Sequence, residues 1–365
     1  MDSTVIDLPE PLSAGAPPMR AVTTEHRFEF SGDAKEYFRI WIVNLALSIL
    51  TLGVYSAWAK VRTQRYFYAN TRLAGATFDY QAQPLAILKG RAVALVLFGG
   101  YALAGQFNVK LQLGLALLIA VLAPWLIVRG AAFRARYSAW RGINFRFMPD
   151  YRQAYVRFLA VYLLVPLTIG LIYPYVKAKQ KAFLVEHHRY GGVKFRFGAT
   201  PGDFYPTYLG AFAAMFLWAM VSGVMVVALF SRLAHAPDPA DSQQFSVVAF
   251  APVVLVYAGY FVVFAFLAAA IANLVYNHVD IGGNRLRSTL AGGRLLWIYF
   301  SNTLAILGSA GLMIPWAMIR LARYRAECLA FLQAGNLDSF VASAQGDVDA
   351  VGSEMDGLFD IDIGI

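Results

Sequence analysis

The sequence is poor in charge and nearly free of cysteine. Of its 365 residues only 15% are charged, 59% are hydrophobic, and the mean hydropathy is +0.53. A soluble domain of this size needs a polar surface that this composition does not supply. The single cysteine, Cys328, excludes an intramolecular disulfide and a metal site built from cysteines. The composition therefore predicts a multi-pass helical membrane protein.

Both ends of the chain lack the features of targeting segments and of packed domains. Residues 1–25 contain no basic segment followed by an apolar run, which argues against a signal peptide and predicts a disordered leader. Residues 341–365 are predicted to form an acidic, disordered tail. From Asp338 onward the chain carries acids and no Lys or Arg: Asp338, Asp347, Asp349, Glu354, Asp356, Asp360 and Asp362. The basic residues therefore concentrate in a polytopic membrane domain, residues 26–340.

The excess of Lys and Arg over Asp and Glu in residues 26–340 has an ordinary explanation in a membrane protein. Lys and Arg mark the cytoplasmic side of a membrane and contact anionic headgroups. We therefore expect membrane lipids, mainly anionic ones, as partners and expect no nucleic acid. The predicted topology has both termini in the cytoplasm. A homo-oligomer is compatible with the sequence.

Two stretches have the length and apolarity of transmembrane hairpins. Residues 85–130 contain two apolar runs joined at Asn108–Gln112, and residues 205–275 contain two runs joined by a polar loop. A helix needs about 20 apolar residues to cross a bilayer, and the long, almost charge-free runs in these stretches indicate such spans.

Three further stretches, at about 26–80, 143–197 and 284–337, share one template centred on a glycine and predict an internal repeat. The glycines are Gly53, Gly170 and Gly311. An aromatic residue follows five positions later, a cation nine positions later and an aromatic residue again thirteen positions later. These residues are Trp58, Tyr175 and Trp316, then Arg62, Lys179 and Arg320, then Tyr66, Phe183 and Tyr324.

Each repeat holds one apolar segment with basic residues at both ends, and two topologies remain open. Seven simple spans would place Lys177, Lys179 and Lys194 outside, against the positive-inside rule. Alternatively, each segment enters the membrane, reverses at its glycine and returns. We favour an all-α integral membrane protein with two transmembrane hairpins and three re-entrant or kinked segments in which the glycines are structural hinges. Short alternating pieces at 75–80, 142–147 and 192–197 predict short cytoplasmic β-strands.

Candidate binding residues follow from the repeat. Asn44 and Asn302 lie nine residues before their glycines inside apolar segments, where a polar side chain needs a partner. They line a polar cavity or bond neighbouring helices. Arg62, Lys179 and Arg320 form a basic vestibule or an ordinary positive belt. No metal site, cofactor or catalytic residue is expected, since His187 and His188 are adjacent and diverge on a helix.

The first repeat carries a long pattern of residues: Phe28–Gly32, Glu36–Trp41, Asn44, Leu50–Tyr55, Trp58–Arg62, Tyr66 and Asn70–Thr71. In these residues the chain resembles the YjgN-type family of bacterial inner-membrane proteins, and the resemblance extends to about Phe340. It implies an inner-membrane, multi-pass helical protein, and it implies no catalytic residue. In the second repeat Val161 stands where the others have Asn44 and Asn302.

Three classes of function are compared. Broken helices at related repeat positions favour transport or permeation of a small or anionic solute or of a lipid. A lipid-binding scaffold that recruits partners through its acidic tail is the alternative. An enzyme is not expected, because no convergent set of acid, base or metal ligands is evident.

Overall fold

The long apolar runs form four helices that are long and apolar enough to cross a membrane. In the computed structural model, which describes residues 23–234 and 242–345, these are α3 (Pro84–Phe107), α4 (Val109–Arg136), α8 (Pro201–Ala234) and α9 (Ser242–Asn277). Asn108 separates α3 from α4, and its side chain accepts hydrogen bonds from the first amides of α4. The four helices fall on the two stretches predicted as transmembrane hairpins, 85–130 and 205–275. Most of the predicted leader and tail lies outside the described residues.

Each of the three glycine-centred segments forms a short helical hairpin. The first pairs α1 (Ala34–Leu50) with α2 (Ser56–Ala69), and the third pairs α10 (Gly292–Gly308) with α11 (Ile314–Glu327). The second is more broken: α5 (Tyr151–Tyr155), a π-helical turn (Val156–Ala160), α6 (Leu164–Leu167) and α7 (Tyr173–Glu186). With 17 residues, α1 is about 26 Å long, somewhat less than a bilayer core.

The reversals at the three glycines have the same backbone geometry. Gly53, Gly170 and Gly311 have φ of +91°, +82° and +93°, a region that glycine enters without steric cost. In each case a hydroxyl two residues earlier accepts from the amide of the residue just before the second helix. For example, Thr51 Oγ1 accepts from the Tyr55 amide at 2.9 Å, and Ser309 Oγ accepts from the Met313 amide at 3.0 Å. The chain thus turns back toward the side from which it entered.

The described chain also contains one continuous antiparallel sheet of eleven strands, so the predicted all-α class with short strands is wrong. The strands are β1 (Thr23–Arg27), β2 (Glu29–Phe30), β3 (Thr71–Leu73), β4 (Ala76–Tyr80), β5 (Ser138–Trp140), β6 (Ile143–Phe147), β7 (His188–Tyr190), β8 (Val193–Phe197), β9 (Val279–Ile281), β10 (Asn284–Ser288) and β11 (Leu329–Ala334). Isolated strands leave backbone amides and carbonyls unpaired, and joining all of them into one sheet satisfies these groups.

The sheet curls into a nearly closed ring. Its order is β1-β11-β10-β9-β8-β7-β6-β5-β4-β3-β2, so its two edges are β1 and β2, which only Phe28 separates in the chain. The helical hairpins follow the same circle: α2 packs on α3, α4 on α5, α7 on α8, α9 on α10, and α11 on α1. Five helical hairpins, three short and two long, therefore stand on the β-ring around one axis.

The interior of the β-ring is filled by apolar side chains, most of which come from its own strands. Trp140, Tyr190, Val279 and Phe331 belong to one buried cluster that spans the ring. A further helix, α12 (residues 337–345), contributes Phe340 to that cluster on the side away from the helical hairpins. The first described strand is thus part of the sheet, and the last described helix packs on it. The predicted start of the tail, residue 341, lies within α12.

Candidate ligand chamber on the ring axis

A cavity of about 510 Å³ lies where the helical hairpins meet the β-ring. We call it the central chamber. It is lined by Phe28, Phe30, Phe67, Tyr68, Thr71, Phe78, Arg134, Ala135, Ser138, Phe145, His188, Phe195, Ala322, Arg325, Ala326 and Leu329. These residues come from strands between β2 and β11, from α2, α4 and α11, and from the Phe28 link, so the chamber lies on the axis. Its volume suits a ligand of drug size.

Four phenylalanine rings line the side of the chamber next to the β-ring: Phe28, Phe78, Phe145 and Phe195. We call them the aromatic collar. Alternation along β4, β6 and β8 directs these side chains inward and their polar neighbours outward. The rings of Phe28 and Phe78 stack with centroids 6.0 Å apart, and those of Phe145 and Phe195 meet edge to face at 6.4 Å. The collar therefore gives an apolar, close-packed surface.

The polar part of the lining is cationic. Arg134 and Arg325 lie near the ends of α4 and α11, four residues before the strand that follows each helix. Arg325 donates a hydrogen bond to the Tyr299 hydroxyl at 3.3 Å, and neither guanidinium forms a salt bridge within the described part of the chain. No Asp or Glu is present among the described lining residues. The chamber therefore offers two uncompensated positive charges beside an aromatic surface.

His188 completes the polar lining from the start of β7. Burial lowers the pKa of its imidazole, and the hydrogen bond between Nδ1 and the Leu184 carbonyl partly opposes that shift. The neutral ring is therefore favoured in the folded protein. The neighbouring hydroxyls of Tyr68 and Ser138 lie 3.0 Å apart, and Ser138 also donates to the Arg134 carbonyl.

The glycine template did not lead to the chamber residues, although a usable signal was present. Counting back four residues from the strands β3, β5 and β11 gives Phe67, Arg134 and Arg325, all of which line the chamber. Arg134 belongs to a transmembrane hairpin, which the three-repeat template leaves out. Phe67 and Arg325 also lie fourteen residues after Gly53 and Gly311, so only Arg134 requires counting from the strand. The same count from β7 and β9 gives Leu184 and Val275, which do not line the chamber.

Two of the predicted site residues meet in the third hairpin. Arg320 Nη1 donates to Asn302 Oδ1 at 3.0 Å and to Ser301 Oγ at 2.6 Å, and Asn302 Nδ2 donates to the Ala317 carbonyl at 3.3 Å. The Arg320 guanidinium also lies 5.1 Å from the ring centroid of Trp316. Asn302 therefore joins α10 to α11 and holds the arginine in place.

The equivalent residues of the first hairpin do not make this contact. Asn44 is 5% exposed, and neither its Oδ1 nor its Nδ2 has a hydrogen-bond partner within the described part of the chain. Arg62 is exposed to solvent. In the second hairpin the Lys179 ammonium lies 5.6 Å from the ring centroid of Tyr175. None of these predicted binding residues lines the central chamber.

The aromatic residue at the thirteenth position of the template has a structural part. Tyr66 O–H donates to the Asp33 carbonyl at 3.0 Å and accepts from the Asp33 amide at 2.9 Å, at the start of its own hairpin. Tyr324 bonds the amide and carbonyl of Ala291 in the same way. Phe183 has no hydroxyl and packs on aromatic neighbours instead.

Metal-binding chemistry finds no support in the part of the chain that the structure describes. No three side chains among its His, Cys, Asp and Glu residues are grouped to hold an ion. His187 and His188 each bond a carbonyl of α7 through Nδ1.

Comparisons with known proteins agree with this membrane architecture. A family model described as "Bacterial protein of unknown function (DUF898)" matches residues 25–358. The inner membrane protein YjgN of Salmonella typhimurium (strain LT2) is 31% identical over 147 residues, which cover 40% of this chain and 37% of the relative. YjgN of Escherichia coli (strain K12) is 32% identical over 128 residues, 33% of this chain and 31% of the relative.

The chain thus spans about a third of the length of these curated relatives. No solved structure is significantly similar to it. Together with four helices able to cross a bilayer, the relatives support a location in the bacterial inner membrane. The chain belongs to the bacterial family of unknown function whose model it matches over residues 25–358.

Proposed function

We propose that the protein conducts an anionic solute or lipid across the inner membrane along the ring axis, with the central chamber as its binding site. The observation that carries this proposal is the lining itself: four phenylalanine rings face Arg134 and Arg325, and no described lining residue is acidic. Arg134 and Arg325 are both exposed, and a guanidinium without a salt bridge binds carboxylate or phosphate through two parallel hydrogen bonds.

An amphiphilic ligand fits this lining better than a small hydrophilic anion. A purely polar solute would lose its hydration against the collar without gaining hydrogen bonds there, whereas an acyl chain gains from that contact. The surrounding hairpins also give access from the bilayer. At the hairpin reversals Leu52 and Ile169 are 96% and 92% exposed, as expected of hairpin tips that contact lipid.

We place the β-ring, and with it both termini, on the cytoplasmic side. The support is the positive-inside rule, because the sheet layer carries Arg146, Arg189, Lys194, Arg196, Arg285 and Arg287. A test is Lys194→Cys in a Cys328→Ser background, with a membrane-impermeant maleimide. Labelling in inverted vesicles but not in intact spheroplasts is expected; efficient labelling from outside would reverse the orientation.

Reconstituted liposomes test conduction. Purified protein is compared with empty vesicles for two fluxes: flipping of a fluorescent phosphatidylglycerol and uptake of radiolabelled inorganic phosphate. The first reports a lipid and the second a soluble anion. Arg134→Gln combined with Arg325→Gln is expected to lower the active flux about tenfold, the effect of losing about 1.4 kcal/mol of interaction.

The matched control is Arg136→Gln, because Arg136 is an exposed arginine of α4 that does not line the chamber. It should leave the flux unchanged. Wild-type flux of both substrates at the level of empty vesicles, or equal fluxes for the double variant and the wild type, would contradict the proposal.

A lipid-binding scaffold is the second candidate, and one observation favours it. On the outer face of the sheet, Arg189 lies directly opposite Arg146 on one side and Lys194 on the other. Facing like charges destabilise a sheet unless an anionic surface compensates them. Replacing Arg189 and Lys194 by Gln should reduce sedimentation with anionic vesicles in the scaffold case and leave flux intact. In that case truncation after Gln345, which removes the acidic tail, should also abolish partner recruitment.

We also propose that the three glycine-centred segments are internal repeats of one unit. Their matching reversals support this, since Gly53 and Gly311 have nearly the same φ and the hydroxyls two residues earlier make the same hydrogen bond across the turn. Replacing residues 51–55 by the sequence of residues 309–313 should therefore preserve the unfolding temperature. A large loss of stability would contradict equivalence of the two turns.

A further inference from the structure

The helix α12 closes the β-ring at the end away from the membrane hairpins. Its Phe340 ring stacks on Tyr190 at 5.7 Å with an interplanar angle of 18°, and contacts the Phe331 ring at 6.0 Å. Tyr190 and Phe331 are 2% and 3% exposed in its presence. Fully burying an aromatic side chain contributes about 1.5–3 kcal/mol, so α12 is held mainly by apolar contact.

Polar contacts attach α12 to separate hairpin turns of the ring. The Ala344 carbonyl accepts from the Gly192 amide at 3.0 Å, in the turn between β7 and β8. Asp338 pairs with Arg141 of the turn between β5 and β6 at 3.4 Å, an exposed ion pair of small energetic weight. These contacts fix the position of α12 over the opening of the ring.

The seat for α12 depends on a glycine. A Cβ on Gly191 would lie 2.0 Å from the Ala344 carbonyl oxygen, a distance that no side chain can adopt. The backbone of the turn does not itself require glycine there. The φ of Gly191 is +53°, and Ala74 and Arg141 have φ of +47° and +49° in the turns between β3 and β4 and between β5 and β6.

From these contacts we infer that α12 is a displaceable plug that gates the ring: docked, it seals the cytoplasmic end of the axis, and undocked, it opens the route from the central chamber. This gating role rests on the proposed function. The strand pairing stays as it is, because the strands pair with one another and not with α12. The apolar side chains that fill the ring lose their contacts with α12 and must repack to open the route. Gly335, with φ of +86°, directly follows β11 and gives the chain its turn toward α12.

Gly191→Ala tests the inference by placing a methyl group against the Ala344 carbonyl. A reporter cysteine, Ile281→Cys in a Cys328→Ser background, measures docking, since Ile281 is 8% exposed within the cluster that holds Phe340. Labelling by an impermeant maleimide in inverted vesicles should be about tenfold faster with Gly191→Ala, equivalent to about 1.4 kcal/mol of lost docking energy. Flux in liposomes should rise in parallel.

Two controls separate plug release from general damage. Gly75→Ala lies at φ +76° with no atom within 4 Å of its Cβ, so it strains a turn without touching α12. Truncation after Asn336 removes α12, whereas truncation after Gln345 retains it. We expect faster labelling and higher flux only for Gly191→Ala and for truncation after Asn336.

Three outcomes would count against the inference, each in a different way. Unchanged labelling of the reporter cysteine after truncation at Asn336 would show that α12 does not seal the ring and would overturn the plug. Faster labelling with wild-type flux would overturn its gating role. Faster labelling with no flux in any variant, the wild type included, would refute conduction itself, and the gating role with it.

Discussion

The contrast between Asn302 and Asn44 gives the sharpest stability prediction. Both are buried, at 7% and 5% exposure, and both lie nine residues before a glycine reversal. Asn302 accepts from Arg320 at 3.0 Å, whereas both amide atoms of Asn44 lack a partner among the described residues. Asn302→Leu therefore removes a set of formed hydrogen bonds from the third hairpin. Asn44→Leu removes a buried amide without a partner from the first.

The magnitudes follow from those contacts. A hydrogen bond to a charged group contributes about 1.5–3 kcal/mol, and the second bond of Asn302, to the Ala317 carbonyl, adds to it. Such bonds between membrane helices average nearer 0.6 kcal/mol, so we expect Asn302→Leu to lower the free energy of unfolding by about 2 kcal/mol. Asn44→Leu removes a buried amide that has no hydrogen-bond partner, and it should raise the free energy of unfolding by about 1 kcal/mol.

The assay is denaturant unfolding in detergent micelles, followed by tryptophan fluorescence. Arg320→Gln should reproduce most of the Asn302→Leu loss, while Arg62→Gln should change little, because Arg62 is exposed and makes no hydrogen bond to Asn44. Equal losses for Asn44→Leu and Asn302→Leu would refute the reasoning. Such a result would mean that Asn44 bonds a group essential to the fold.

Three further predictions concern the hairpins and the chamber. Tyr66→Phe should lower the free energy of unfolding by about 1 kcal/mol in micelles, since it removes both bonds to the Asp33 backbone. Gly259→Ala should cost about 1–3 kcal/mol in the same assay, because its Cβ would lie 2.0 Å from the Trp218 ring. Burial lowers the pKa of His188 in the folded protein, so the unfolded chain binds a proton on this residue more readily. The free energy of unfolding should therefore fall as the pH drops below about 6.5 toward the lower folded pKa. His188→Gln should remove that pH dependence in melting curves recorded at several pH values.

The transmembrane hairpins could be predicted because each run is long enough for a bilayer and its apolarity has no other use. The helix bounds of α3 and α4 needed only the turn at Asn108, whose side chain caps the second helix. At the chain reversals Gly53 and Gly311 adopt φ near +90°, which glycine enters without steric cost, so the residue type there follows a local rule. In both cases the deciding interactions are local in sequence.

The β-ring could not be predicted because its pairings connect distant parts of the chain. His26 pairs with Phe331 across nearly the whole chain, and no periodicity reports such a register. The hairpin turns did carry a readable signal. Arg141–Gly142 and Gly282–Gly283 are two-residue turns with positive φ between alternating stretches, the pattern of a tight β-hairpin. In the described chain every helical hairpin is followed by at least one strand, a regularity that the all-α prediction missed.

The candidate site shows the same division. Inward alternation on β6 and β8 predicts that Phe145 and Phe195 share a face, but the convergence of five hairpins on one axis appears only in three dimensions. The polar residues chosen from the template, such as Asn302, belong to contacts within a hairpin. Arg134 and Arg325 gain their importance from the ring, since each is an ordinary helix-end cation in the sequence.

Photo-crosslinking in native membranes tests the central claim most directly. Cells are fed a diazirine-bearing fatty acid, and cross-linked peptides are identified by mass spectrometry. Occupancy of the central chamber predicts adducts at Phe67, Phe145 and Phe195 that fall about tenfold when Arg134 and Arg325 are both replaced by Gln. Adducts confined to the exposed hairpin tips around Leu52 and Ile169, and unchanged in that double variant, would contradict an anionic ligand on the ring axis.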